Sequence, residues 1–316
     1  MTSETTITIS KSDFLKYLES PRHLWALKHH IALPEAEGMD QLRMLGGMEI
    51  ETPAQDYFRQ VHIPENPGTR LRWQHTLQDG PYLARTDAVL QLPDGGWALC
   101  EVKSAVNMKE EHFYDLAFQA LIVRTQIPVK TFWLLHPNKD YRRSGELDLR
   151  AFFIIEDVTA EVEALLPEVE LLRPLALAAA QAESPDQFAP CAKPKDCPCP
   201  QICHPNLPAF SIYDIPNLRK GKEDLLAAGI LAAADIPDDF PLNEKQRLVA
   251  QRARTGTAHL DQPALRTLLD SYRFPLWFLD YETFSWPVPL FDGYKPYQHA
   301  VIQYSLHWLE SPAAPL

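Results

Sequence analysis

Asp87, Glu101 and Lys103 lie at one end of two strand-like runs that flank the turn Pro93-Asp94-Gly95-Gly96, and this combination restricts the fold more than any other feature of the chain. The turn residues close a hairpin, so 82–92 and 97–103 are predicted to run side by side. Alternation places Trp97, Leu99, Glu101 and Lys103 on one face of the second strand, and Ala98, Cys100 and Val102 on the other. A register with Gln91 opposite Trp97 also sets Asp87 opposite Glu101. Two carboxylates and an ammonium then meet at the edge of a sheet. Gathering carboxylates out of water is costly unless a cation neutralises them, and hard oxygen ligands favour Mg2+ or Mn2+. Such an ion polarises a phosphoryl oxygen and acidifies water, which suits phosphodiester hydrolysis, with Lys103 placed to orient water or stabilise developing charge. Ordinary surface charges on a solvated hairpin would also fit these three residues.

The flanking pattern is that of an α/β domain. Residues 10–30 read as one helix, with Ser10 or Ser12 as N-cap and Phe14, Leu15, Leu18, Leu24 and Trp25 on one face. A second helix is expected over 40–60, entered through Gly46-Gly47. After the hairpin come a helix at 110–125, a buried strand at 129–135 and an Ala/Leu/Glu-rich helix at 160–182. Helices packed on a mixed central sheet follow from this order. Prolines break up 184–210, short helices including 225–230 and 243–255 occupy 211–272, and a new strand opens at Leu276-Trp277-Phe278-Leu279-Asp280. The expected division is 1–205, a helical linker 206–272 and a further segment 273–316. The linker stretch around Leu225, Gly229 and Pro237 has a faint helix-hairpin-helix pattern, for which a plain helical connection is the simpler account.

A net charge of −12 argues against a protein that coats nucleic acid through a uniformly basic surface, since phosphate contacts need Lys and Arg. It leaves room for a local basic track such as Lys139, Arg142 and Arg143. The first residues lack a basic, then apolar, leader pattern and no run of 18 apolar residues occurs, so a soluble cytoplasmic protein without a membrane partner is expected.

Four of the five cysteines, Cys191, Cys197, Cys199 and Cys203, fall within thirteen residues. An odd cysteine total without a secretion signal points to a metal or cluster site rather than a disulfide scaffold. Cys100, on the reverse face from Glu101, reads as a small buried hydrophobe.

Several strings in order resemble the RecB-like branch of PD-(D/E)XK nucleases, and within it a bacterial family that joins such a module to a DnaQ-like exonuclease segment. They are Ser10-Lys-Ser-Asp-Phe-Leu-Lys-Tyr-Leu with Pro21-Arg22, Gly47-Met-Glu-Ile-Glu51, Asp87 with Glu101-Val-Lys103-Ser104, Asp115-Leu-Ala-Phe-Gln119, and Tyr141-Arg-Arg-Ser-Gly-Glu-Leu-Asp148. The resemblance implies a restriction-endonuclease-like fold and a metal-dependent DNA exonuclease. Asp87, Glu101, Lys103 and Gln119 would be its catalytic residues, with Glu51, Asp87 and Glu101 on the metal. Glu51 stands where relatives often carry His, and Val123 stands where they carry Tyr. The spacing Cys-x5-Cys-x-Cys-x3-Cys resembles the set that holds a [4Fe–4S] cluster in relatives, which also use an upstream Cys where this chain has Ser20. Either Cys199 completes the set or the cluster is lost; zinc held by four thiolates, or by three with His204, competes chemically. Phe278-Leu-Asp280-Tyr-Glu282 resembles the first DnaQ-like (DEDD) motif, so the start of an RNase H-like segment with a partial second metal site at Asp280 and Glu282 is expected, cut short at Leu316. A catalytically weak nucleic-acid-binding module with a structural Fe–S or zinc site is the competing expectation.

Overall fold

The computed structural model describes residues 7–31 and 39–314. Contacts divide the chain into two compact units, the first comprising 1–190 and 282–303, the second 191–281 and 304–316.

The first unit is mixed α/β. Ile9–Ser10 (β1) leads into Lys11–Glu19 (α1) and Pro21–Lys28 (α2). Here the structure corrects the single helix expected over 10–30: Pro21 supplies no N–H for a continuing helix and takes the first position of a new one, capped by the Ser20 hydroxyl, which accepts from Arg22 N at 3.3 Å. Ser10 and Asp13 form a reciprocal cap that fixes the start of α1 at Lys11. Met39–Tyr57 (α3) runs straight through Gly46-Gly47 rather than starting there. A Cβ on Gly46 would lie 3.2 Å from Pro287 Cδ, so close packing, not helix entry, accounts for that glycine. A π-helical turn at Phe58–His62 and the short Ile63–Glu65 (α4) complete this arm.

Five strands then follow: Arg70–Trp73 (β2), Thr76–Asp79 (β3), Tyr82–Arg85 (β4), Ala88–Gln91 (β5) and Trp97–Val102 (β6). The run expected as one strand over 82–92 is therefore two, divided at Thr86-Asp87, with β4 pairing antiparallel to β3 and parallel to β1 in a separate three-stranded sheet. The hairpin register is the expected one: Gln91 faces Trp97 and Ala88 faces Cys100. Glu110–Val123 (α5), Thr131–Pro137 (β7), Leu149–Phe152 (α6), Phe153–Asp157 (β8) and Thr159–Gln181 (α7) complete a five-stranded mixed sheet in the order β2-β5-β6-β7-β8, in which only β6 and β7 are parallel.

Each face of this sheet has its own core. Val89, Leu99, Phe132 and Leu134 pack with Leu116 and Phe118 of α5, Val162 of α7 and Phe14 of α1. Ala98, Cys100, Leu90 and Leu135 pack with Ile50 and Ala54 of α3, Phe58 and Phe152. Alternation along β6 thus decides the site: Glu101 shares the face of Leu99, and so looks toward α5.

The second unit holds Pro200–Cys203 (α8), Lys220–Ala227 (α9), Glu244–Thr255 (α10) and Gln262–Ser271 (α11). A small core of Ile212, Ile215, Leu225, Ala233, Ile236 and Ala250 supports its central part, and Asn243 caps α10 reciprocally with Gln246. Leu276–Phe284 (β9) and Ala300–Leu309 (β10) pair as a two-stranded sheet.

Candidate metal-dependent active site

Four residues singled out from sequence line one cleft of about 400 Å³: Glu51, Asp87, Glu101 and Lys103, together with Gly47, Met48 and Ser104. Asp87 sits just before β5, where the main chain leaves the ladder, and its Oδ2 accepts from Val102 N at 2.8 Å. That bond pins the carboxylate against the end of β6. Glu51, on the solvent side of α3, receives Gln74 Nε2 at 3.0 Å on Oε2.

Glu101 is 2% exposed and accepts from three donors. Its Oε1 accepts from Lys103 Nζ at 2.9 Å and from Lys11 Nζ at 2.5 Å, and its Oε2 accepts from Gln119 Nε2 at 2.8 Å. Gln119 is fully buried and binds Asp115 Oδ1 through the same nitrogen at 2.8 Å, while Asp115 Oδ2 takes Lys103 at 2.5 Å. Asp115 and Gln119 are one helical turn apart, so both side chains leave the same face of α5. Two residues of this network, Lys11 and Asp115, had no role in the sequence reading. Asp115 carried a signal, since its i, i+4 partner is Gln119; Lys11 carried none beyond its place in the first string, because it is 90 positions from Glu101.

The electrostatics follow from crowding in a dry site. Burial and then the Glu101 charge raise the Asp87 carboxyl to about 7, offset in part by Lys11, the Val102 N–H and Lys103. Burial acts the same way on Glu101, but the charges of Lys103 and Lys11 and the hydrogen bonds from Lys11 and Gln119 outweigh it and hold that carboxyl well below the usual range. Asp115 is raised by burial and by Glu101. Burial penalises the charged forms of Lys11 and Lys103, yet Glu101 and Asp115 prevail and raise both, so both ammonium groups stay protonated at neutral pH. His112, near Lys103, is lowered to about 4 by burial and by that positive charge.

The expected basic track is largely committed to protein contacts. Arg143 donates to the carbonyls of Gly145 and Pro289, and Arg142 to Gly293 O, within the first unit. Val123 is buried in the core.

In the second unit the four clustered cysteines and His204 converge. The sulfurs of Cys197, Cys199 and Cys203 lie within 4.8 Å of one another, as do those of Cys191 and Cys197 with a His204 nitrogen. Cys191 Sγ is 3.2 Å from His204 Nε2 and Cys199 Sγ is 3.9 Å from Cys203 Sγ. Burial pushes up the thiols of Cys191, Cys197 and Cys199, so ion binding here must expel protons. The donor set fits a metal: Zn–S bonds of about 2.3 Å place tetrahedral thiolates about 3.8 Å apart, close to the Cys199–Cys203 separation. Cys100 lies apart from this group, buried in the sheet core.

Asp280 and Glu282 are both exposed on β9, and Tyr281 N donates to Asp280 Oδ1 at 3.0 Å. No described helix is long and apolar enough to cross a membrane.

The model of a family described as a domain of unknown function, DUF2779, matches residues 277–315. No curated protein matches the sequence. Among solved structures the chain is similar to an alkaline exonuclease (LHK-Exo) from Laribacter hongkongensis, at 14% identity over 55% of this chain and 94% of that one, with a TM-score of 0.31. The structure of LHK-Exo in complex with dAMP aligns at 14% identity over 55% and 95% with a TM-score of 0.32. The crystal structure of SSO0001 aligns at 12% identity over 55% and 79%, also at 0.32.

Proposed function

We propose that the first unit is a Mg2+- or Mn2+-dependent nuclease with the restriction-endonuclease-like architecture of RecB-like PD-(D/E)XK enzymes, acting on DNA as an exonuclease. The observation that carries the reading is the single cleft in which Glu51, Asp87 and Glu101 present oxygens beside the Lys103 ammonium. Asp87 has one oxygen tied to Val102 N and the other available, and Glu101 and Glu51 supply further hard donors, a set that fits a divalent ion. An ion held there supplies Lewis-acid polarisation of the phosphodiester and a lowered pKa for water.

The chain's own residues do the rest. Lys103 keeps its proton, which makes it a donor and not a base. Two of its three N–H bonds go to Glu101 and Asp115, which leaves one to direct at a phosphate oxygen or at the attacking water. Asp115 and Gln119 position Lys103 and Glu101 and touch no substrate in this scheme. Supporting the ammonium through two carboxylates fixes it before substrate arrives, so little reorganisation remains for the transition state.

The clustered cysteines are proposed to hold a structural metal that ties the loop 191–204 together. The close sulfur spacing favours one tetrahedral zinc ion; the sequence resemblance favours [4Fe–4S], and metal analysis separates the two. The resemblance also supports Asp280 and Glu282 as the first element of a DnaQ-like site in an RNase H-like segment.

The test is incubation of the purified chain with labelled single- and double-stranded DNA and RNA across a Mg2+ and Mn2+ series. Ion-dependent cleavage lost in Asp87→Asn is expected. Tight binding with no cleavage under any ion would replace this reading with a nucleic-acid-binding module.

A further inference from the structure

Glu101 accepts from three donors, which leaves one lone-pair site, on Oε2, open to a cation. Lys11 and Lys103 together use both lone-pair sites of Oε1, and Gln119 uses one of Oε2. If Glu101 is to serve a cation with both oxygens, one donor has to give way.

The three are not equally held. Gln119 is fully buried and its amide nitrogen is shared with Asp115. Lys103 has a second carboxylate at 2.5 Å, and its backbone N–H donates to Leu135 O at 2.9 Å, continuing the sheet. Among the described residues Lys11 has one close partner, since Asp115 Oδ1 is 4.0 Å away. It reaches in from the first residue of α1, and its side chain keeps 22% of its exposure. A flexible four-carbon stem lets its ammonium turn to solvent at the loss of a single contact.

We propose that Lys11 is an internal competitor for the divalent cation, neutralising Glu101 Oε1 until a doubly charged ion displaces it, and so setting the affinity and charge selectivity of the site. This rests on the nuclease reading above. At one distance from one oxygen a dipositive ion gains twice the Coulomb energy of an ammonium, whereas a monovalent ion gains no more than Lys11 already supplies. Lys103 then remains in place as the donor to substrate, and the two lysines divide the roles of gate and catalyst.

Mn2+ binding followed by electron paramagnetic resonance tests this without any turnover. Lys11→Met is expected to bind Mn2+ about tenfold more tightly than the wild type, with Lys28→Met, which removes a charge on α2 paired with Asp13 of α1, within about twofold of wild type. In the unaltered chain, acylation of Lys11 by an amine-reactive ester, read by mass spectrometry, is expected to rise several-fold at saturating Mg2+ while Lys103 stays protected. Unchanged or weaker Mn2+ binding in folded Lys11→Met, or Lys11 labelling indifferent to Mg2+, overturns the proposal. If Mn2+ binding is present in wild type and lost in Asp87→Ala, the nuclease reading survives that result; absence of Mn2+ binding in every form overturns both.

Discussion

Asp87 and Glu101 meet at the end of one pair of strands, yet their carboxyl groups are driven in opposite directions: Asp87 up to about 7, Glu101 well below the ordinary carboxylate range. The difference lies in their neighbours. Two ammonium groups and an amide bind Glu101 directly, whereas Asp87 has a backbone N–H and feels the Glu101 charge in a desolvated setting. One carboxylate stays charged and the other is poised.

Divalent-ion affinity should therefore depend on pH through Asp87. Below about 7 its carboxyl holds a proton that the ion must expel, so affinity should fall toward a limiting tenfold per pH unit as the pH drops from 7 to 5. Mn2+ titrations at several pH values check this, and calorimetry in buffers of different ionisation enthalpy should show proton release. An affinity flat across that window would contradict the assignment of Asp87 as a ligand.

The same group makes a signed prediction for stability. Its folded pKa is raised, so its contribution is fully present below the unfolded value of about 3.9 and is lost as pH rises through about 7. Asp87→Asn, a neutral stand-in, should melt several degrees higher than wild type at pH 8 without divalent ions, and should lose Mn2+ binding. Thermal melts at pH 5 and 8 make the comparison, since the gain should shrink at the lower pH.

Lys103→Met keeps most of the stem and removes the donor. Cleavage should fall by about 10² to 10³, the range expected when a transition-state donor is lost. Stability should fall by about 3 kcal/mol, because Asp115 is left buried without its closest cation. Single-turnover cleavage and urea unfolding measure the two effects separately, and wild-type turnover in a folded variant would remove Lys103 from the chemistry.

How far the site was legible follows from where each residue gets its position. Asp87, Glu101 and Lys103 could be aligned because the Pro93–Gly96 turn and two-residue alternation fix the register locally, and the ladder has Gln91 opposite Trp97 as that reasoning requires. The division of 82–92 at Thr86 was hidden, since β4 and β5 look like one alternating run and only pairing with distant β3 and β1 separates them. Lys11 was hidden for the same reason: nothing local distinguishes a lysine that opens a surface helix from one whose ammonium reaches Glu101. The Gly46-Gly47 pair misled because glycine in a helix signals a boundary, whereas the tight approach of Pro287 explains it at Gly46.

Gln119 should be more important to folding than a helix amide usually is. Its nitrogen bridges Glu101 and Asp115, so Gln119→Leu leaves both carboxylates short of a donor at a cost of about 2–3 kcal/mol. Gln119→Glu should be worse, since a third carboxylate joins the two. Chemical denaturation of the three proteins at pH 7 gives the order, and a Leu variant as stable as wild type would refute the bridging role.

His112 provides a titration of opposite sign to Asp87. Burial and Lys103 lower it to about 4, so the neutral ring's contribution is present above the unfolded value of about 6.5 and is lost as pH falls toward 4. Its Nδ1 accepts from Lys109 N at 3.3 Å at the start of α5, which ties the loss to the helix that carries Asp115 and Gln119. Protonation would remove that acceptor and place a cation beside Lys103. The wild type should therefore lose about 1–2 kcal/mol between pH 6.5 and 4.5 that His112→Asn does not lose, Asn retaining a cap acceptor without a titrating ring. Equal pH slopes for the two proteins in urea unfolding would show that His112 does not govern the acid side of the stability profile.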